Sequence, residues 1–197
     1  MQGSDYSSSI KRKTRKTQAR YPLDEIQVDT VPNPEHLGLS IESRYNYFLI
    51  PCDKFSRIFR LIRIQDKISE ACIDGIELWP SNILTPTRKI KAITNIRSDP
   101  GTEFISDIIR KWCAEKGIRF SSTAPKHQEQ NGLVERHWGN VLKMANTMIL
   151  HARLSKNFFY YTAKYAQRVH DVIPVKELCD NDGLPTTPYQ LATNVHL

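Results

Sequence analysis

Residues 90–122 read IKAITNIRSDPGTEFISDIIRKWCAEKGIRFSS and predict a strand, a helix and a second strand in succession. The first strand covers residues 90–97 and ends at a turn over residues 99–102, where proline and glycine follow aspartate. Gly117 stands where a left-handed residue ends a helix, and residues 118–122 return to a strand pattern. Strands that alternate with helices in this way build a sheet covered by helices. The helix carries apolar residues at helical spacing: Phe104, Ile105, Ile108, Ile109, Trp112 and Cys113.

The flanking sequence adds strands before this unit and helices on both sides of it. Aromatic and β-branched residues around a turn at residues 53–56 predict a β-hairpin. This order predicts an α/β domain with a mixed sheet and helices on both faces. The predicted strands are 23–31, 44–52 and 57–64, and the predicted helices are 68–79, about 131–151 and about 156–173. The long helix carries an apolar stripe of Val134, Trp138, Val141, Ala145 and Met148.

Positive charge is concentrated in the first 20 of the 197 residues. The whole chain has 28 basic and 21 acidic residues, but residues 1–20 carry six basic groups and one acid, Asp5. Because this segment has no apolar period, we expect a disordered basic arm that serves nucleic-acid binding or nuclear import. A solvated tail without a partner is the alternative. The basic residues are Lys11, Arg12, Lys13, Arg15, Lys16 and Arg20.

The composition excludes several classes of protein. With 40% apolar and 25% charged residues, the chain is neither disordered nor collagen-like nor a coiled coil. No apolar run approaches the roughly 18 residues of a membrane span, and the first residues lack the apolar segment of a secretory signal. We expect reduced, buried thiols in an intracellular protein, because the four cysteines are far apart and form no C-x-x-C. They are Cys52, Cys72, Cys113 and Cys179.

Three acidic residues stand out by their context. Asp29 lies near the end of the first strand, Asp99 directly follows the strand at 90–97, and Glu135 lies in the first turns of the long helix. Each has a structural explanation when taken alone. Asp29 suits a strand end, Asp99 suits a turn before proline, and Glu135 suits the positive end of its helix. Together they point to a site, because adjacent strand ends lie close together and a later helix can cross them.

Three converging carboxylates repel one another unless a cation neutralises them. Oxygen ligands from aspartate and glutamate suit Mg²⁺ or Mn²⁺. We therefore expect the side-chain oxygens of Asp29, Asp99 and Glu135 to gather around a common point and to bind a divalent metal.

The order of these motifs resembles the D,D-35-E catalytic core of retroviral and retrotransposon integrases, most closely the Ty1/copia type. The strand aspartate in IQVDTV is followed by SDPGTEF, and 35 residues separate Asp99 from Glu135 in NGLVERHW. The resemblance covers about residues 20–191. Further matching pieces are CDKFSR at 52–57, STAPKHQEQNGLVER at 122–136 and TTPYQL at 186–191.

The resemblance implies an RNase H-like fold with a five-stranded mixed sheet. It implies that Asp29, Asp99 and Glu135 are the catalytic, metal-binding residues, and that they hold a pair of Mg²⁺ or Mn²⁺ ions in a two-metal mechanism. The implied activity is that of a polynucleotidyl transferase, which joins 3′ ends of element DNA to target DNA. The implied partners are DNA and further copies of the chain, without a membrane, and the implied site of action is the nucleus after assembly in the cytoplasm.

Residues near the triad are candidates for DNA contacts. For each of them a solvated surface charge or a helix cap is the alternative. We interpret Glu103, a rival carboxylate, as first-turn stabilisation of the helix that follows it. Gly139 lies four residues after Glu135 and either lets a DNA backbone approach or is simply tolerated. The candidate contacts are Lys126, His127, Gln128, Asn131, Arg136 and Lys143.

The sequence therefore predicts a basic arm at 1–20, an integrase-like core at 21–191, and a C-terminal end at 192–197 that is truncated relative to the family. The zinc module and the C-terminal DNA-binding region of full integrases have no counterpart in this sequence. An element remnant that acts at most as a DNA-binding module is the alternative function. A nuclease that cuts RNA–DNA hybrids shares the implied fold, but the 35-residue spacing argues against it.

Overall fold

The computed structural model describes residues 19–34, 45–81, 93–99, 101, 103–122, 132–179 and 183–193. The segment 1–18 of the predicted arm lies outside this part of the chain. So do four of the six predicted DNA contacts, namely Lys126, His127, Gln128 and Asn131. No helix in the described ranges is both long enough and apolar enough to cross a membrane.

The described chain alternates strands and helices in the predicted order and adds three short elements at its end. The strands are β1 (Glu25–Pro32), β2 (Tyr47–Asp53), β3 (Ile62–Ile64), β4 (Asn95–Ser98), β5 (Arg119–Ser122), β6 (Val175–Cys179) and β7 (Pro185–Thr186). The helices are α1 (Ser69–Ser81), α2 (Asp107–Glu115), α3 (Gly132–His151), α4 (Phe159–Val172) and α5 (Pro188–Thr193).

A five-stranded mixed sheet forms the centre of the fold, with the strand order β3-β2-β1-β4-β5. β1 pairs with β2 in antiparallel register, and β2 pairs likewise with β3. On its other side β1 pairs with β4 in parallel, and β4 pairs with β5 in parallel. The predicted mixed sheet is thereby confirmed, and β1 lies at its middle.

Two hydrophobic layers cover the two faces of this sheet. One layer joins strand residues to α1 and α2, as Leu49 and Ile96 meet Ile76 and Ile109. The other joins the sheet to α3 and α4, as Ile50 meets Val134 and other buried residues of these helices. Helices therefore cover both faces, as the sequence predicted. Of the predicted α3 stripe, Val134, Val141 and Ala145 are buried, while Trp138 and Met148 pack against the layer as partly buried residues.

The CDKFSR segment owes its shape to the buried carboxylate of Asp53. Its Oδ1 accepts a hydrogen bond from the Leu23 backbone N–H at 2.9 Å. Its Oδ2 accepts from the Ser56 backbone N–H at 2.9 Å and from the Ser56 hydroxyl at 2.6 Å. Burial raises the pKa of the Asp53 carboxyl above its usual value, although these hydrogen bonds oppose the shift. Asp53 thus ties the β2–β3 turn to the segment that leads into β1.

The start of α2 differs from the sequence expectation. The helix begins at Asp107, and the Ser106 side chain caps it by accepting a hydrogen bond from the Ile109 N–H at 3.3 Å. Phe104 is fully buried ahead of the helix, whereas Ile105 and Ile108 are exposed. The apolar residues at helical spacing therefore lie partly in a turn and partly in α2. The Ser106 cap starts the helix after Phe104 and Ile105, the first two of these residues.

Three short elements at the end of the chain, β6, β7 and α5, were not predicted. β6 and β7 form a separate two-stranded antiparallel sheet. The free thiols of Cys52, Cys72 and Cys113 are buried, as predicted, and the side chain of Cys179 lies outside the described set. Burial raises the pKa of the Cys72 thiol to about 12 and that of Cys113 to about 11, so both stay protonated at neutral pH.

Candidate active site

Asp29 and Asp99 lie side by side on the two central parallel strands. Val28 of β1 is in register with Ser98 of β4. Asp29 follows Val28 within β1, Asp99 directly follows the end of β4, and parallel strands lie about 4.8 Å apart. The register that pairs β1 with β4 therefore brings two carboxylates together from positions 29 and 99. Asp29 lies within β1 and not near its end as expected, because β1 continues to Pro32 beside β2, whereas its pairing with β4 stops at Val28.

The sheet register also decides which face Asp29 occupies. Asp29 is directly opposite Ile50 in the antiparallel pair, and opposed residues point to the same face. Ile50 belongs to the hydrophobic layer under α3 and α4. The Asp29 side chain is therefore on the sheet face that α3 covers.

The carboxyl of Asp29 has an altered affinity for protons. Burial and the neighbouring charge of Asp99 raise its pKa to about 7. Its Oδ1 accepts a hydrogen bond from the Thr30 backbone N–H at 2.7 Å. The Asp99 Oδ1 accepts one from the Gly101 N–H at 3.3 Å. Because Asp29 is half-buried beside a second carboxylate, a cation would favour full ionisation of the pair.

Glu135 lies in the first turn of α3, on the helix that covers the face of Asp29. Its neighbour Val134 is fully buried against this face, and Glu135 itself is exposed. Within the described ranges, no group of three or more His, Cys, Asp and Glu side chains is gathered closely enough to hold a metal ion. The structure thus pairs two of the three predicted carboxylates and places the third on the covering helix, without gathering all three around one point.

Glu103 does not stabilise the first turn of a helix, and this interpretation from the sequence was wrong. It precedes α2, it is buried, and its Oε1 accepts a hydrogen bond from the Thr30 hydroxyl. The Lys67 Nζ lies 3.7 Å from the same oxygen. The Glu103 backbone carbonyl accepts a hydrogen bond from the Ser69 hydroxyl at 2.8 Å. These contacts explain why the chain delays the helix until Asp107.

Gly101 separates the carboxylates of Asp99 and Glu103. A Cβ at this glycine would lie 2.8 Å from the Glu103 Oε2 and 3.2 Å from the Asp99 Oδ1. The distance between the Glu103 Oε2 and the Asp99 Oδ1 is therefore at most the sum of these two distances. A larger residue at position 101 would displace the Glu103 carboxylate. The absence of a side chain at Gly101 therefore leaves room for both acidic groups.

Thr30 and Lys67 are members of the site that the sequence did not reveal. Lys67 donates a hydrogen bond to the Thr30 carbonyl at 3.3 Å as well as pairing with Glu103. Its charge lowers the pKa of Asp29, against the effects of burial and Asp99. Thr30 follows Asp29 in IQVDTV and Lys67 lies outside the quoted motifs, and only the three-dimensional contacts connect both to Glu103.

Two of the predicted DNA contacts, Arg136 and Lys143, are exposed on α3. A Cβ on Gly139 would meet no atom within 4 Å, so packing within the described protein does not require glycine there. His137 is buried and stacks on Phe59 with ring centroids 5.0 Å apart. Burial and the nearby His170 lower the pKa of His137 to about 3, so its ring is neutral.

The chain is similar in sequence to retrotransposon Pol polyproteins. It is 29% identical over 153 residues to the Retrovirus-related Pol polyprotein from transposon RE2 of Arabidopsis thaliana, which is 78% of this chain and 10% of that protein. For transposon RE1 of the same plant the identity is 25% over 155 residues, again 78% of this chain and 10% of that protein. No protein-family model matches the chain. The chain spans about a tenth of the length of these curated relatives.

Structural comparison decides the fold family. The HTLV-2 integrase catalytic core domain in complex with magnesium, in its trimeric form, matches with a TM-score of 0.60 over 87% of this chain and 97% of that one. The chain therefore has the fold of integrase catalytic cores. A chain of the simian T-cell lymphotropic virus intasome, in complex with PP2A regulatory subunit B56 gamma, matches with a TM-score of 0.66 over 87% of this chain and 55% of that chain. Sequence identity is 18% in both cases, and the predicted RNase H-like fold is confirmed.

Proposed function

We propose that this integrase-type core is a metal-dependent polynucleotidyl transferase that joins DNA 3′ ends to target DNA. The observation that carries the proposal is the Asp29–Asp99 pair at the centre of the sheet, with Glu135 on the helix that covers the same face. The relatives are retrotransposon Pol polyproteins, and the fold is that of integrase catalytic cores. Two neighbouring aspartates with no cation between them repel each other and destabilise the fold. Their presence side by side therefore favours the interpretation that they serve a function.

The residues present fit a divalent metal. Asp29 and Asp99 supply hard oxygen ligands from adjacent strands, and Glu135 supplies a third from a rotatable, exposed side chain. Burial and the neighbouring charge of Asp99 raise the pKa of Asp29, and the charge of Lys67 offsets this only in part. Asp29, Asp99 and Glu135 are therefore the proposed ligands of Mg²⁺ or Mn²⁺. Bound ions of this kind activate an attacking oxygen and stabilise a leaving oxygen during phosphoryl transfer.

The protein's own contribution is positioning and control of charge. β1 and β4 fix the two aspartates, and no covalent nucleophile is needed for this reaction. Near pH 7 the Asp29 carboxyl holds a proton for part of the time, and that proton competes with a cation for the same oxygens. The Glu103 carboxylate already accepts a hydrogen bond from the Thr30 hydroxyl and pairs with Lys67. We therefore propose that Glu103 stabilises the structure around the site and does not bind the metal.

The proposal extends to partners and location. DNA is the proposed substrate, and a homo-oligomer is the proposed active form, since an HTLV-2 integrase core is known in dimeric and trimeric forms. We propose the nucleus as the site of action. The predicted basic arm and exposed Arg136 and Lys143 would add nonspecific phosphate contacts.

The test is strand transfer, or its reversal in a disintegration assay, with Mg²⁺ or Mn²⁺. Glu135→Gln keeps the shape of the side chain and its helix propensity but removes an anionic ligand. We expect activity to fall about a hundredfold or more, with circular dichroism and DNA binding retained. Glu70→Gln is the matched control, because Glu70 is likewise an exposed first-turn glutamate, on α1. We expect it to keep activity within about twofold.

The outcomes separate the two candidate functions. Full activity of Glu135→Gln would remove Glu135 from the proposed ligand set. If the unaltered chain binds DNA but shows no reaction with either metal, it is a silent remnant that serves as a DNA-binding module. Asp29→Asn and Asp99→Asn complete the series, and each should abolish the reaction.

A further inference from the structure

The sheet face that carries Asp29 is only partly covered by helices. In the described part of the chain, the hydrophobic layer under α3 and α4 takes its strand residues from β1, β2 and the segment before β3, and none from β4 or β5. α2 packs on β5 from the opposite face, where Phe120 joins the layer of α1 and α2. The described helices therefore leave the β4–β5 part of the Asp29 face open.

Two arginines lie on this open part of the sheet. Arg97 of β4 is in register with Gln27 of β1 and with Ser121 of β5. Gln27 lies two residues before Asp29, and Arg119 lies two residues before Ser121. Because side chains alternate along a strand and partners in register share a face, Arg97 and Arg119 are both on the face of Asp29.

A buried carboxylate of the same face holds two cations. Glu25 lies four residues before Asp29, and its Oε1 is 2.7 Å from the Lys54 Nζ and 3.6 Å from the Arg97 Nη2. The Arg97 side chain keeps 26% of its surface exposed, so it is held by Glu25 and still accessible to a ligand. We call this surface the basic sheet face, and its members are Glu25, Lys54, Asn95, Arg97, Arg119 and Ser121.

The basic sheet face carries more positive than negative charge. Among its described members, Lys54, Arg97 and Arg119 share the single carboxylate of Glu25. Arg119 is exposed and forms no ion pair within the described ranges. Neutralising Glu25 therefore does not account for Arg119. Cations that are gathered on an open surface favour an anionic ligand.

We infer that the basic sheet face binds phosphates of the DNA strand on which the Asp29–Asp99 pair acts, through Arg97 and Arg119. The inference rests on the proposed function, which makes DNA the substrate. Arg97 lies about 6.6 Å before Asp99 along β4, and Arg119 lies farther back on β5, so the two arginines form a row that starts beside the pair. The planar fork of an arginine donates two hydrogen bonds to one phosphate.

The other residues of this surface favour contact with a nucleic-acid backbone over contact with bases. The side chains beside the arginines are those of Asn95 and Ser121, which are small and polar and leave room for a backbone. Phe120 lies between Arg119 and Ser121 in the chain, but it packs in the layer on the opposite face. The basic sheet face therefore has no ring for base stacking, and phosphate contacts of this kind position a strand without reading its sequence.

The test measures binding of a short fluorescent DNA duplex to the full chain by anisotropy, at several salt concentrations and without a divalent metal. Arg97→Gln with Arg119→Gln should weaken binding several-fold and reduce the log–log salt slope by about 1.8, at about 0.9 for each phosphate contact. Arg97→Lys with Arg119→Lys keeps both charges and should keep the slope of the unaltered chain. An unchanged slope for the double glutamine variant would overturn the inference.

A double variant on α2, Arg110→Gln with Lys111→Gln, is the matched control. It removes two exposed cations from a helix on the opposite face of the sheet, and it should bind DNA like the unaltered chain. Equal losses in this control would show that binding follows total charge, and the inference would fail. Displacement of the duplex by poly-glutamate at equal charge concentration would assign the basic sheet face to an acidic peptide instead.

Urea denaturation separates a DNA contact from a structural role. Arg119→Gln alone should keep the unfolding midpoint and still reduce the salt slope by about 0.9, since Arg119 has no ion pair in the described chain. If only Arg97→Gln weakens binding, and it also lowers the midpoint, the cations of this surface serve to neutralise Glu25 and the inference is wrong.

A crosslink tests where the strand lies. Ser121→Cys, labelled with a benzophenone maleimide, should crosslink to DNA beside the junction of a disintegration substrate. Lys111→Cys on α2, labelled in the same way, should give only the background of the unaltered chain treated with the same reagent. Equal crosslinking from both positions would contradict the placement of the strand on β4 and β5.

Binding and joining are measured separately, so failure of this inference and failure of the proposed function are distinguishable. In the disintegration assay with Mn²⁺, Arg119→Gln should raise the KM for DNA several-fold and keep kcat within about twofold, because it removes binding away from the reacting atoms. Asp99→Asn should remove joining and keep the salt slope. A chain that binds through Arg97 and Arg119 without reacting would contradict the proposed function alone. Joining that is indifferent to both arginines would contradict this inference alone.

Discussion

The Thr30 hydroxyl donates a hydrogen bond to the carboxylate of Glu103, which lies 73 residues later in the chain. Thr30 is opposed to Leu49 in the sheet, and Leu49 belongs to the layer under α1 and α2. Asp29 and Thr30 therefore direct their side chains to opposite faces of one strand. One face carries the proposed ligand, and the other carries a buried glutamate that anchors the loop after Asp99.

Glu103→Gln should lower the free energy of unfolding by about 1–3 kcal/mol, because Lys67 and the Thr30 hydroxyl lose a charged partner in a buried setting. Urea denaturation followed by circular dichroism measures this. Glu70→Gln, at an exposed position, is the control and should stay within about 0.5 kcal/mol. An unchanged midpoint for Glu103→Gln would show that the Lys67 pair contributes nothing to stability.

Asp53→Asn should also destabilise the fold, by about 1–3 kcal/mol. The amide nitrogen cannot accept the hydrogen bonds that the Ser56 N–H and hydroxyl now donate to Oδ2. Thermal unfolding measures the loss. Asp66→Asn, at an exposed position near the start of α1, should leave the midpoint unchanged. Equal stability of the two variants would contradict the role assigned to the Asp53 carboxylate.

Gly139→Ala distinguishes the two explanations for this glycine. The added methyl meets open space, so the helix should gain about 1 kcal/mol of stability. If a DNA backbone approaches α3 at this position, DNA affinity should fall at the same time. Denaturation and a DNA titration are run together. A gain in stability with unchanged affinity would show that glycine is merely tolerated here.

Stability should decline with acid through His137. Its pKa is about 3 in the folded chain and 6.5 in the unfolded chain, so between these values only the unfolded chain takes up the proton. The free energy of unfolding should therefore fall by up to about 1.4 kcal/mol per unit as pH drops through this window. His137→Phe, which keeps a ring against Phe59, should flatten the dependence between pH 6 and pH 4. Removing an exposed histidine of α3, by His151→Gln, should not flatten it.

Deleting residues 1–18 should flatten the salt dependence of DNA binding. The deletion removes five of the six cations of the predicted arm and spares Ala19, which is buried, and Arg20, which pairs with Asp24 at 3.3 Å. For every phosphate that the arm neutralises, its removal should reduce the log–log slope on duplex DNA by about 0.9. A slope equal to that of the full chain would mean that the arm does not bind DNA.

The sequence by itself predicted the features that depend on neighbours in the chain. The period of Val134, Val141 and Ala145 predicted a helix with one buried face, and these residues are buried. Gly117 was expected to adopt a left-handed conformation and has a φ of 67°. The local context of Asp29 and Asp99 selected both as site residues, although Asp29 lies within β1 and not at its end. Spacing and local conformational preference carry this information, because they act within a few residues.

Contacts between distant segments were decided only by the tertiary structure. The spacing of apolar residues made Glu103 look like a helix residue, yet Thr30 and Lys67 hold it in a buried turn. Arg60 pairs with Asp171 across 111 residues, which joins the segment before β3 to α4. Such pairs depend on sheet register and on the packing of helices against it. A sequence pattern records which face of an element is apolar, but the partner of each polar group is set when the elements meet.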